Sequence, residues 1–195
     1  MPASKLVRRR IFAAVIGVVL AGALVLFGLL GPLRTGSPPR TAETTAVQAG
    51  VPARLEIPRI KVNAVVEHTG LTRQGLMGVP KDPDNAAWYK HGPRPGERGS
   101  AVIDGHFDWD NGTPAVFDDL HKLRPGDKVM VTDRQGTTIS FIVRKSRNYT
   151  PEADATSVFR SSDGKAHLNL ITCTGVWNQD RNSYSQRLVV FSDRE

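Results

Sequence analysis

Beyond residue 53 the sequence is divided into short alternating or apolar segments, separated by turns rich in Gly, Pro, Asp and Asn. Alternation with a period of two is typical of strands with one buried face, and short continuous apolar runs are typical of fully buried strands. Seven or eight such segments at this spacing predict a mainly β domain, either a closed barrel or a sandwich. The predicted strand segments are residues 54–57, 60–67, 100–104, 127–133, 137–145, 166–173 and 186–192.

Several connections between these segments are also predictable. Pro58 indicates an edge or a bend, because it cannot donate a hydrogen bond to a sheet. Residues 134–136 are expected to form the turn of a hairpin between two of the strands. A loop over residues 80–85 leads to Ala86–Tyr89, and only residues 115–120 and 154–159 predict short helices.

The N-terminal region contains twenty residues, 11–30, without a charged or strongly polar side chain. As a helix this segment would be roughly 30 Å long, the thickness of a bilayer's hydrocarbon core. A cleaved signal peptide is the alternative, but its apolar region is usually only about 7–15 residues. We therefore predict a transmembrane signal anchor. The basic tail, residues 1–10, should remain in the cytoplasm and place the rest of the chain outside the cell.

The charge of the chain is concentrated before the predicted domain. Six of the 26 Lys and Arg residues lie in residues 1–40, which hold no acidic residue, so residues 41–195 carry 20 basic and 19 acidic side chains. Such a balance gives no indication of a nucleic-acid surface. Residues 31–52 are rich in Pro, Gly, Thr and Ala and predict a linker. The catalytic domain is then expected over residues 53–195.

The chain has a single cysteine, Cys173. An exported domain with one cysteine cannot form an internal disulfide, so its thiol is either a small buried side chain or a reactive group. Cys173 follows an apolar segment and precedes Thr174-Gly175, so we expect it at a strand end that faces a loop. A reactive thiol needs a base or a positive neighbour, because its unperturbed pKa is about 8.5.

Five histidines could provide that base: His68, His91, His106, His121 and His167. His106 is favoured because it follows the apolar run 101–103 and Gly105, at the mouth of a predicted strand. A histidine at a strand end is more often structural when taken alone. His167 is expected to point outward from its strand, and the other three lie in loops or at helix ends.

A thiol that attacks a carbonyl group also needs a hydrogen-bond donor for the resulting tetrahedral oxyanion. Such a donor commonly stabilises the transition state by about 2.7–4 kcal/mol. Arg187 precedes the final apolar run, and it would lie beside Cys173 if the last two strands pair as antiparallel neighbours. The alternative is an arginine that faces solvent. Arg181, in the loop 177–182, is the second candidate.

Taken together, these segments resemble the sortase family over about residues 53–195. The matching segments occur in the order and spacing of sortases: Leu55–Ile60, Gly105-His106, Leu123–Asp127, Leu170–Cys173 and Arg187–Val190. The resemblance is strongest to class F sortases of Gram-positive actinobacteria, through Ser100–Asp108 and Pro114–Phe117.

This resemblance implies an eight-stranded sortase barrel, with His106 as acid/base, Cys173 as nucleophile and Arg187 as an oxyanion or substrate-positioning donor. It implies cleavage of an LPxTG-like sorting signal between Thr and Gly through a thioacyl intermediate. The acyl group would pass to an amine acceptor such as a peptidoglycan precursor or a pilin. The acidic cluster that binds calcium in class A enzymes has no match here, so we expect no metal and no other cofactor.

Two other functions remain open from the sequence. One is an exported cysteine hydrolase that uses water as its acceptor. The other is a non-catalytic surface-binding barrel with a buried, unreactive thiol.

Overall fold

The structure is a computed structural model that describes residues 49–195. The predicted basic tail, the anchor over residues 11–30 and most of the predicted linker lie outside these residues. Within residues 49–195 there is no helix that is long and apolar enough to cross a membrane.

The described chain is mainly β, with ten strands and one turn of α-helix. The elements are β1 (Pro52–Ile57), β2 (Val62–Thr69), β3 (Ala86–Tyr89), β4 (Gly99–Gly105), β5 (Asp108–Trp109), β6 (Thr113–Pro114), β7 (Lys128–Asp133), β8 (Thr138–Tyr149), α1 (Thr156–Phe159), β9 (Ala166–Asn178) and β10 (Ser183–Arg194). Short 3-10 helices span Pro58–Ile60, Asp110–Gly112 and Asp118–Lys122.

Eight of the strands form a closed barrel in the order β1-β2-β3-β4-β9-β10-β8-β7, and β5 pairs with β6 in a separate two-stranded sheet. Of the two predicted architectures, the barrel is confirmed. Most neighbours are antiparallel, but β2–β3 and β4–β9 are parallel pairs. The pairing of β4 with β9 matters most for the site, because it brings the carboxyl end of β4 beside the middle of β9.

Alternate residues of the central strands fill the barrel interior. Leu168 and Leu170 of β9 and Leu188 and Val190 of β10 belong to the main core. The intervening residues of β9 and β10 point to the outer face, where a smaller cluster packs against α1. That cluster contains Val102, Tyr149, Val158, Val189 and Phe191. Outward-facing residues of β9 and β10 are therefore partly covered rather than open to solvent.

The predicted segments agree with the strands except at several ends. Ile60 was expected in a strand but belongs to a 3-10 turn, because Pro58 begins that turn and Lys61 ends it at a φ of 58°. The bend predicted at Pro58 is therefore confirmed. The two predicted helices are shorter than expected, since one is the 3-10 helix Asp118–Lys122 and the other is the single turn α1.

The last two strands pair as antiparallel neighbours, as predicted, but both are longer than expected. β9 continues to Asn178 and β10 begins at Ser183. Cys173 therefore lies within β9, so its expected position at a strand end is wrong. Beyond Cys173 the two strands form a ribbon with an irregularity at Gly175, whose φ is +88°. A Cβ there would lie 2.4 Å from Ser185 Oγ, so glycine is required.

Candidate active site

The parallel pairing of β4 and β9 places His106 and Cys173 at neighbouring positions. In the observed register Asp104 of β4 is the Cα partner of Ile171 of β9. His106, directly after β4, and Cys173 of β9 each follow these partners by two residues, and paired strands lie about 4.8 Å apart. Two residues 67 positions apart in the sequence thus lie on the same side of the barrel.

Buried contacts hold the end of β4 against the middle of β9. Thr172 donates a hydrogen bond from its hydroxyl to the carbonyl oxygen of Gly105, at 2.8 Å in the buried interior. Gly105 also packs tightly against the chain behind it, because a Cβ there would lie 2.5 Å from Phe117. This close packing fixes the backbone that precedes His106.

The ring of His106 is oriented by a main-chain carbonyl. Its Nε2 lies 2.9 Å from the carbonyl oxygen of Pro80, and it must donate because a carbonyl oxygen can only accept. The neutral ring then carries its lone pair on Nδ1, where it can accept a proton. The indole of Trp109 packs edge-to-face against His106, with ring centroids 4.9 Å apart.

Arg187 lies on the other side of Cys173. The two residues are Cα partners in the β9–β10 pairing, so the strand pairing that the prediction required is present. Arg187 donates through Nη1 to the carbonyl oxygens of Tyr184 and Gln186, at 3.2 and 3.0 Å, and through Nη2 to Ser183 Oγ at 3.0 Å. These bonds hold the guanidinium against its own strand. Cys173 and Arg187 thus lie on adjacent strands, and His106 directly follows the strand on the other side of β9.

The thiol of Cys173 is half-buried and free. Burial is the largest influence and raises the pKa of the thiol above its ordinary value. The guanidinium of Arg187 lowers this pKa, whereas the carboxylates of Asp104 and Asp108 raise it. The net effect is a rise, so the protonated thiol is favoured and a base is needed to activate it.

Cys173 and His106 open onto a shared groove of about 670 Å³, which we call the acidic groove. It lies between the β4–β5 region and the β9–β10 ribbon. Its lining residues are His106, Phe107, Asp108, Trp109, Asp110, Gly112, Cys173, Trp177, Asn182 and Tyr184. Aspartate and aromatic side chains therefore surround the thiol on this side.

A hydrogen bond joins the two sides of the acidic groove. The hydroxyl of Tyr184, on β10, donates to Oδ2 of Asp108, on β5. This bond raises the pKa of Tyr184 to about 12, with a smaller contribution from burial. The ring of Tyr184 also packs edge-to-face against Phe107 and Trp177, with centroid separations of 5.6 and 5.2 Å. The β9–β10 ribbon is thereby held against the segment that follows His106.

A second groove of about 380 Å³, which we call the apolar groove, lies on the outer barrel face beside Arg187. Its apolar lining includes Leu76, Met77, Val79, Val158, Phe159, Ile171 and Val189. Asp104 and Arg187 are its two charged lining residues. Burial raises the pKa of Asp104 to about 7, although Arg187 opposes that rise. The carboxyl of Asp104 is therefore desolvated where the groove approaches Cys173.

A family model described as the sortase domain matches residues 55–195. The chain belongs to the sortase family. Sortases are cysteine transpeptidases, so this enzyme is one as well. A search of curated protein sequences finds no significant match.

Solved sortase structures share the fold of this sortase. A lid mutant of sortase A from Corynebacterium diphtheriae aligns with a TM-score of 0.57 and 25% identity, covering 76% of this chain and 72% of that one. Sortase C-1 from Actinomyces oris gives 0.55 and 25%, covering 73% and 72%. Sortase D5 from Clostridium perfringens gives 0.55 and 22%, covering 75% and 79%, and so shows the fold alone. The sortase barrel is confirmed, and the narrower class F assignment stays a prediction.

The other histidines of the sortase have structural contacts. His68 binds the carbonyl oxygen of Pro52 at 2.9 Å, and His121 binds that of Asp118 at 3.0 Å. His91 packs edge-to-face against Tyr89.

His167 points outward from β9, as predicted, but its side chain is covered by other residues. It faces the outside of the barrel but is buried, with only 5% of its surface exposed. Its Nδ1 lies 2.7 Å from a carboxylate oxygen of Asp193 on β10, and its Nε2 lies 3.0 Å from one of Asp163 in the β8–β9 connection.

Arg181, the second candidate for the oxyanion donor, points elsewhere. Its guanidinium is 3.6 Å from the carboxylate of Glu152, and both side chains are exposed. Among the described residues, no group of three or more His, Cys, Asp or Glu side chains is arranged to hold a metal ion.

Three features of the site were not predicted as parts of it: the carboxyl of Asp104, the carbonyl of Pro80 and the Asp108–Tyr184 hydrogen bond. Asp104 could have been noticed in the sequence, because it is a charged residue that directly follows the apolar run 101–103. The other two depend on contacts across 26 and 76 residues, respectively, and have no local pattern.

Proposed function

We propose that this sortase uses Cys173 as its nucleophile to cleave an LPxTG-like sorting signal between Thr and Gly. The acyl group then passes to an amine acceptor. The observation that carries the proposal is the arrangement of three side chains on the adjacent strands β9 and β10 and directly after their neighbour β4. Cys173 and His106 share one groove, and Arg187 is the Cα partner of Cys173.

The first half-reaction begins with the neutral thiol and the neutral imidazole. Nδ1 of His106 accepts the thiol proton as the sulfur attacks the carbonyl carbon of Thr, and the carbonyl oxygen becomes an oxyanion. Arg187 stabilises that charge. The C–N bond to Gly then breaks, the imidazolium protonates the leaving amine, and a thioester to Cys173 remains.

The apolar groove supports binding of the donor peptide beside the thiol. Ile171 and Val189 line it on β9 and β10, close to Cys173 and Arg187. The Leu and Pro side chains of a sorting signal would bury apolar surface there, at about 25 cal/mol per Å². The scissile carbonyl would then lie next to the thiol.

We further propose that residues 11–30 anchor the enzyme to the cell membrane, with the barrel on the outer face. The proposed class is F, and the proposed acceptors are a peptidoglycan precursor or a pilin. Anchoring would raise the effective concentration of substrates held at the same surface without any new contact.

The test is the Cys173→Ala variant of the full-length chain in detergent micelles. We expect cleavage of a fluorogenic LPxTG peptide to be abolished while the circular dichroism spectrum and thermal midpoint stay close to wild type. Turnover by a well-folded Cys173→Ala variant would remove the nucleophile assignment.

Two further measurements separate the alternatives. Product analysis with and without an added amine distinguishes a transpeptidase from a hydrolase. Labelling with a methanethiosulfonate distinguishes an accessible thiol from a merely buried one, which would not react in the folded protein.

A further inference from the structure

The acidic and apolar grooves approach Cys173, and the proposed reaction has two substrates. A smaller cavity of about 330 Å³ is also lined by Cys173, but His106 is not part of it. The apolar groove suits the donor peptide, so the acidic groove is available for the acceptor. Cys173 and His106 both line the acidic groove, which places a ligand there within reach of both the thioester and the base. This inference rests on the proposed function and concerns the chemistry of the second substrate.

The acidic groove carries negative charge near the thiol. Its lining includes Asp108 and Asp110, and no Lys or Arg is among its described lining residues. Asp110 is exposed, and its carboxylate makes no hydrogen bond or ion pair to any side chain that the structure describes. Asp108 accepts from Tyr184 through Oδ2 only. Both carboxylates can therefore bind a cation.

Aromatic rings accompany this charge. Trp109 and Trp177 leave 39% and 46% of their surfaces exposed, although both are large apolar residues. Indole faces attract ammonium groups and also pack against the methylene groups of long side chains. The same groove thus offers contacts to a positive charge and to an aliphatic stem.

The carboxylate of Asp108 is unfavourable for the first half-reaction, in which Cys173 must lose its proton. Its carboxylate disfavours the thiolate of Cys173. A negative charge at this place is useful in the second half-reaction, in which a positively charged amine must approach the thioester.

We infer that the acidic groove binds the acceptor as a primary alkylammonium with an aliphatic stem, such as a lysine-type side chain. Asp108 and Asp110 bind the ammonium, and Trp109 and Trp177 contact its stem. An N-terminal glycyl amine lacks such a stem and should bind less well.

The second half-reaction then balances as follows. The bound ammonium first releases one proton to solvent. The neutral amine attacks the thioester carbon, His106 accepts its second proton, and an amide C–N bond forms as the C–S bond breaks. The imidazolium finally returns that proton to the sulfur of Cys173, which restores the starting thiol and imidazole.

The experiment uses the full-length chain, an LPxTG donor peptide and three nucleophiles. They are Nα-acetyl-lysine amide, triglycine amide and hydroxylamine, which is uncharged at neutral pH. Aminolysis and hydrolysis products are quantified separately. If the wild type cleaves no donor peptide, the proposed function itself fails, and that result is distinct from the outcomes below.

We compare Asp110→Asn and the double variant Asp108→Asn/Asp110→Asn with the wild type. Asparagine retains an oxygen that can accept from Tyr184, so the shape of the groove is preserved. We expect the KM for the lysine amide to rise about threefold and about tenfold, respectively, which is the size expected for exposed ion pairs. The KM for hydroxylamine should stay unchanged.

Asp180→Asn provides the matched control. Asp180 is an exposed aspartate in the β9–β10 connection, close in sequence to the groove residue Asn182, but it does not line the groove itself. It should leave the lysine-amide KM at its wild-type value. Equal effects on lysine amide and hydroxylamine, an unchanged lysine-amide KM in the double variant, or a wild-type preference for triglycine would each overturn the inference.

Discussion

The apolar and acidic grooves approach the same cysteine, but they are built from different parts of the chain. The apolar groove lies on the outer barrel face, between the β2–β3 connection and the β8–β9 connection that contains α1. The acidic groove lies between the segment after β4 and the β9–β10 ribbon. The first presents mainly aliphatic side chains, and the second presents carboxylates and aromatic rings.

The residues that carry out the reaction and the residues that select the substrates therefore belong to different parts of the fold. The predicted catalytic residues lie on barrel strands or directly after them, where the hydrogen-bond register fixes their positions. Much of the lining that distinguishes the two grooves comes from connections, which can vary without disturbing the barrel. The grooves can therefore be tested independently of one another.

Arg187 lines the apolar groove, and its replacement should give the largest effect. Arg187→Met removes the guanidinium and should lower kcat for donor cleavage about 100-fold, as expected for the loss of an oxyanion donor. Arg187→Lys should recover only part of that loss, because lysine lacks the planar fork. Arg181→Met is the control, since Arg181 pairs with the exposed Glu152. A larger loss in Arg181→Met would reverse the assignment.

Asp104 is the one carboxyl in the lining of the apolar groove, and it should affect stability more than selectivity. Its pKa is about 7 in the folded state and about 3.9 in the unfolded state, so folding takes up a proton between these values. Stability should therefore fall as pH rises through this window. We expect the wild type to lose on the order of 2 kcal/mol between pH 5 and pH 8 relative to Asp104→Asn.

Urea denaturation at the two pH values measures this difference. Asp110→Asn serves as the control, because its exposed carboxylate belongs to the acidic groove. If Asp104→Asn and the wild type have parallel pH dependences, Asp104 is not desolvated as described.

Val79 tests the apolar groove alone. Its side chain is 53% exposed and lines the groove, so Val79→Ser should keep the fold and raise the KM for the donor peptide about fivefold. The KM for the amine should not change. Val65→Ser is matched to it, because Val65 is 49% exposed and lines neither groove. A parallel rise in the amine KM would mean that the grooves are not separate.

Asp108 should give the smallest effect, a change in pH profile. A histidine–cysteine pair predicts a bell-shaped dependence of kcat/KM for donor cleavage, whose basic limb follows the pKa of Cys173. Asp108 raises that pKa, so Asp108→Asn should move the basic limb to lower pH. Arg187→Met should move it in the opposite direction. Shifts of the same sign in both variants would contradict these assignments.

Local patterns in the sequence were sufficient for most of the barrel. Six strands were predictable from their segments: β1, β4, β7, β8, β9 and β10. One or both faces of each strand are buried, so apolar residues alternate or run continuously along its sequence. The two-residue strands β5 and β6 were not predicted, since Asp108–Trp109 and Thr113–Pro114 are too short to carry a period.

The candidate site was predictable to a different degree. Cys173 stood out as the single cysteine, and Arg187 depended on a strand pairing that the structure confirms. The sequence favoured His106 among five histidines by its position, but it did not show that His106 opens onto a groove whereas His167 is buried between two carboxylates. That distinction needed the contacts of each ring.

By itself, the sequence determined a mainly β domain and its candidate catalytic residues, because strand periodicity and residue chemistry are local properties. The tertiary structure decided that the sheet closes into a barrel and that β4 lies parallel to β9. It also placed Asp104 and the Asp108–Tyr184 hydrogen bond around Cys173. These features depend on contacts between distant segments, and such contacts form only when the burial of all strands is satisfied at once.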